Sequence, residues 1–77
     1  MNQRSEASNA EIGEYSAILD LDPDSVPAWY SRGMVRYEIG EVALAVADLQ
    51  EFLGRTDLAL EAPQVQEALG IIRAHPE

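Results

Sequence analysis

The stretch Ala28-Trp29-Tyr30-Ser31-Arg32-Gly33-Met34-Val35-Arg36-Tyr37-Glu38-Ile39-Gly40-Glu41 decides how this chain folds, together with its continuation through Val42, Ala45, Val46, Leu49 and Leu53. Trp29, Gly33, Val35, Tyr37 and Ile39 fit a helical rather than an alternating pattern. The helix they predict starts after Ser25. Pro27 is tolerated in its first turn, where backbone amides have no helical partner. Gly40 stops it by taking a left-handed conformation without a Cβ clash. Only a narrow wedge around Ser31 and Glu38 is polar and free of arginine, so protein is expected to flank this helix on more than one side. A further helix, from about Glu41 to Leu53, aligns Val42, Val46, Leu49 and Leu53, and Ala45 and Phe52 widen that stripe towards the preceding helix. So short a connection makes the pair a tight antiparallel hairpin.

Working outward, an earlier helix is predicted from about Ser8, because Ser8 and Glu11 have the spacing of a capping box. Ile12, Tyr15, Ile18 and Leu19 follow at helical spacing, and Leu21-Asp22-Pro23-Asp24 ends the helix, since proline disfavours helical geometry in the residue before it. Residues 1–7 read as a disordered tail. Downstream, Gly54 to Ala62 reads as a looser segment. Pro63 then opens a helix to about residue 75, with Val65, Leu69 and Ile72 on one face and Ala68 and Ile71 beside it. Gly70 weakens it, and His75-Pro76 ends it. No strand pattern competes, so the expectation is one all-α domain of four helices over residues 1–77.

A shift of 34 residues lays Glu14-Tyr15 on Asp48-Leu49 and Ile18-Leu19 on Phe52-Leu53, a period typical of helix-turn-helix repeats. The stretch from Ala28 to Gly33, with Tyr37, Gly40-Glu41, Ala45 and Asp48-Leu49, resembles one full tetratricopeptide repeat (TPR), over about 26–57. In that resemblance Trp29 is the large knob between the paired helices. Gly33 lets them approach closely, and Ala45 is the small residue opposite it. Tyr15, Ile18-Leu19 and Leu21-Asp22-Pro23 resemble the second helix and closing turn of a preceding repeat, over about 8–24, whose first helix is missing. The last helix, over about 63–75, sits where a capping helix would be expected. The resemblance implies a short fragment of a right-handed α-solenoid that binds other proteins. Three positions depart from it: Arg36 replaces an aromatic or small residue, Phe52 a small one, and Asp57 the closing proline. The last departure suggests that the superhelix does not continue regularly past residue 54.

In the TPR family the first helix of each repeat lines a concave groove. Carried over by position, the groove-facing residues are Pro27, Tyr30, Met34, Tyr37 and Glu38. Tyr30, Met34 and Tyr37, at i, i+4 and i+7, form one stripe, and tyrosine and methionine suit adaptable binding surfaces. The alternative is that this stripe packs as core against the first and fourth helices. Modules of the family that clamp acidic chaperone tails use lysine, asparagine and arginine in the groove. The matching places here carry Tyr30, Ser31 and Met34, and the chain has no lysine. An apolar or basic segment of a partner is the better expectation, given the chain's charge.

That charge is −9, from fourteen acidic and five basic residues, all five of them arginine. It disfavours nucleic acid and anionic lipid as partners. No stretch is long or apolar enough to span a bilayer. The amino terminus does not read as a secretory signal, and the chain has no cysteine, so a cytoplasmic location is expected. Asp20, Asp22 and Asp24 mimic the opening of a calcium loop, but Ser25 and Ser31 stand where that loop needs glycine and glutamate. His75 is a single histidine without a catalytic or metal-binding companion. No cofactor and no enzymatic activity are expected. Arg32 and Arg36, one turn apart, have two readings: pairing with Glu11, Glu14 or Asp48 inside the fold, or holding a partner's carboxylate.

The leading expectation is an adaptor binding a peptide or helix of a partner protein. A rival is a homodimer that supplies the core which so few repeats lack. An accessory subunit of an enzyme is a third.

Overall fold

A computed structural model describes residues 3–76 of the chain. The fold is all-α. Four helices, α1 (Gln3–Leu21), α2 (Val26–Glu38), α3 (Val42–Arg55) and α4 (Pro63–Ala74), each pack mainly on the next in sequence.

The α1–α2 turn is closed locally. Asp22 N–H donates to the Ile18 carbonyl at 2.8 Å, and the Asp22 carboxylate accepts from Asp24 N–H at 3.2 Å. The indole N–H of Trp29 reaches back to the Pro23 carbonyl at 2.8 Å, tying α2 to that turn. The α2–α3 turn is a Schellman cap: Glu41 N–H bonds the Arg36 carbonyl at 2.9 Å and Gly40 N–H the Tyr37 carbonyl at 3.1 Å. Gly40 supplies the φ of +87° that this cap requires.

The closest approach of α2 and α3 is at Gly33. A Cβ there would lie 3.0 Å from the Leu49 side chain and 3.2 Å from Asp48 Cβ. The residues facing this glycine most closely are thus Leu49 and Asp48, whereas Ala45 was expected opposite it. The core runs from α2 through α3 to α4, with Val46, Leu49, Phe52, Val65, Ala68 and Ile71 at its centre and Trp29, Tyr30, Met34 and Tyr37 at its edge. Trp29 is half-buried and packs against the edge of the core.

Four further expectations shift. α1 begins by Gln3, within the stretch read as a tail; Met1 and Asn2 lie outside the described residues. Ser8 is therefore no cap. It sits inside the helix and is buried, because a small polar residue can fill an interface as well as end a helix. α3 runs on to Arg55, past Gly54, since a glycine inside a packed helix costs only about 1 kcal/mol. On α4 the fully buried positions are Val65, Ala68 and Ile71, while Leu69 and Ile72 are half-buried.

Candidate interaction site

On α2 the side chains proposed to face a groove fall into two groups. Tyr30, Met34 and Tyr37 are half-buried and pack on the core edge; Pro27 and Glu38 are exposed. The stripe is neither free nor fully covered. α4 and the residue that follows it reach the two ends. The Tyr30 hydroxyl donates to Glu67 Oε1 at 2.5 Å, and the Tyr30 and Phe52 rings lie 5.0 Å apart, tilted by 51°. Tyr37 meets His75 edge-on at 5.6 Å, its hydroxyl 3.3 Å from His75 Nε2. Burial first, and the adjoining Glu67 carboxylate second, push the Tyr30 phenol up to about 12.

Beside Tyr30 the surface opens into a depression with a free volume of about 360 Å³. The first turns of α2 supply Val26, Pro27, Tyr30 and Ser31. The end of α3 supplies Phe52, and Thr56, Asp57 and Leu58 of the following loop complete the wall with Gln64. The loop is shaped by short-range bonds: Leu58 N–H to Thr56 Oγ1 at 3.1 Å, Ala62 N–H to the Ala59 carbonyl at 3.0 Å, and the Gln66 amide to the Leu60 carbonyl at 2.7 Å. Of the residues expected to face a groove, Pro27 and Tyr30 line this depression. Phe52, Asp57 and Leu58 were not expected there, because the depression joins segments some thirty residues apart that no local periodicity connects.

The two arginines have an internal partner. Arg32 grips Asp48 with two bonds, Nε at 2.9 Å and Nη2 at 2.8 Å, and its Nη1 donates to Ser16 on α1 at 2.9 Å. Arg36 Nη1 adds a bond to Asp48 at 3.0 Å, while its buried Nε has no hydrogen-bond partner among the described residues and lies 3.8 Å from Glu41. Asp48 is 2% exposed. Its carboxylate, as hydrogen-bond acceptor, holds the Arg32 guanidinium above its ordinary value. Of the partners expected for these arginines, Asp48 is the one the fold brings to both; Glu11 and Glu14 stay exposed on α1. Trp29 has the Arg32 and Arg55 guanidiniums each 5.2 Å from its ring centre. Arg55 also pairs with Glu51 and, at 3.5 Å, with Asp24. The aspartates that mimic a calcium loop thus serve elsewhere, Asp22 in the turn and Asp24 with Arg55.

No family model, no curated protein and no solved structure matches this chain. The class defined by the fold is a small four-helix all-α domain packed in sequence order. Among the described residues, no helix is long and apolar enough to cross a membrane.

Proposed function

We propose that this chain is a TPR-type, non-enzymatic adaptor domain, binding a peptide or helix of a partner protein through the α2 face that carries Pro27, Tyr30, Met34, Tyr37 and Glu38. The observation behind this reading is the open, largely apolar depression at the Tyr30 end of that face. The TPR assignment draws on the 34-residue period, the glycine contact between α2 and α3, and sequential helix packing. Arg32 and Arg36 drop out of the binding face, because both are engaged by Asp48. On that face the Tyr30 hydroxyl is bonded to Glu67 and the Tyr37 hydroxyl lies against His75, which suits binding better than acid–base chemistry. A cytoplasmic location fits this role. With the tagged chain as bait, Tyr30→Ala/Met34→Ala should lose the partner that the unmodified chain retains; undiminished capture by the double variant would sink the assignment of the face.

A second reading, self-association, is favoured by α1. Leu21 is 90% exposed and Ile18 44%, and α1 packs chiefly against α2 alone. Sedimentation at low micromolar concentration separates the two readings. A dimer that Leu21→Glu dissociates supports self-association, and a monomer leaves the adaptor reading.

A further inference from the structure

We propose that the depression beside Tyr30 is an anchor pocket for one large apolar side chain of a partner peptide, and that a lysine or arginine next to that anchor bonds Asp57 on the rim. This rests on the adaptor reading and narrows it to one subsite and one ligand chemistry.

The pocket is preorganised. Its floor is Phe52, 2% exposed, and Tyr30, whose ring is fixed by the 5.0 Å contact with Phe52 and by the 2.5 Å bond to Glu67. A floor already ordered costs little rotamer entropy on binding. Val26, Pro27 and Leu58 make the walls apolar. A volume of about 360 Å³ is at the small end of ligand pockets. It admits one tryptophan- or leucine-sized group, not the face of a helix. At the other end of the stripe His75 meets Tyr37 edge-on, whereas the Tyr30 end carries the open depression.

Charge selects the neighbour of the anchor. Asp57 is the charged residue of the lining and is exposed. Among the described residues no cation pairs with it. Arg55, two residues away, is turned to Glu51, Asp24 and Trp29, and Arg32 and Arg36 are held by Asp48. In a chain of charge −9, an acidic ligand is repelled and a basic one steered in. The occupant is therefore a basic segment with an apolar anchor.

The test titrates the isotopically labelled full chain with two probe peptides, acetyl-Gly-Trp-Lys-Gly-amide and acetyl-Gly-Trp-Glu-Gly-amide, following backbone amide shifts. Tyr30, Ser31, Asp57 and Leu58 should shift with both. The lysine probe should bind roughly two- to fivefold tighter, as an exposed ion pair allows. Asp57→Asn, on an exposed loop, should erase that preference. Ser31→Phe, which fills the depression, should abolish the shifts while distant amides stay in place. Equal affinity for the two probes, or shifts centred away from these residues, overturns the proposal. So does movement of the same amides when the protein alone is diluted, since a second copy would then be the occupant. Partner capture that falls with Tyr30→Ala/Met34→Ala but survives Ser31→Phe removes the pocket and leaves the adaptor reading intact.

Discussion

At Gly33 the hairpin has no slack. Leu49, 0% exposed, lies 3.0 Å from where a Cβ would stand, and Asp48 is held in place by two arginines. Gly33→Ala gains helix propensity of about 1 kcal/mol but overpacks a rigid contact, which costs about 1–3 kcal/mol. A net loss of about 1 kcal/mol is expected in chemical denaturation. Gly54, also helical, has open space around its Cβ position. Gly54→Ala should therefore raise stability by about 0.5–1 kcal/mol, and a matching loss at both sites would refute the packing argument. Asp48 makes a sharper case. Asp48→Ala leaves two guanidiniums without their carboxylate, which should cost about 3 kcal/mol. That is the low end for a broken buried pair, because the Arg32 and Arg36 side chains keep 14% and 17% of their surface in water.

Among the elements, α2 and α3 were legible almost to their ends, since Pro27 and Gly40 mark boundaries through backbone chemistry that tertiary packing does not override. α4 was legible in extent, but of its predicted stripe only Val65 is fully buried, while Ala68 and Ile71, expected beside it, complete the buried face. The start of α1 was not legible: Ser8 followed by Glu11 looks the same whether it caps a helix or lies within one. Nor could local pattern join Tyr30 to Glu67 or Tyr37 to His75, pairs more than thirty-five residues apart. The first of these links α2 to α4 in a pH-dependent way. Tyr30 keeps its proton to about 12 when folded, whereas an unfolded tyrosine ionises near 10. The stabilisation is thus complete below pH 10 and is lost as pH rises from about 10 to 12. Tyr30→Phe should flatten that part of the alkaline unfolding curve. An unchanged slope would mean that the phenol titrates alike in both states.

For the whole molecule, seventy-seven residues bury a modest core, and a charge of −9 pushes against its compactness. Raising ionic strength from about 0.01 to 0.15 M shortens the Debye length from roughly 30 to 8 Å. The melting midpoint should climb by several degrees, and a fall would show that its ion pairs outweigh self-repulsion. The chain also carries a reporter of its own cooperativity. Trp29 is its one indole, hydrogen-bonded to the α1–α2 turn at Pro23 and approached by arginines from α2 and α3. α1 holds 19 helical residues and weighs heavily in far-ultraviolet circular dichroism. If the four helices melt as one unit, emission and dichroism share a midpoint. If α1 peels away first, the dichroism falls while the indole is still held by α3, and the two curves separate without any label having been added.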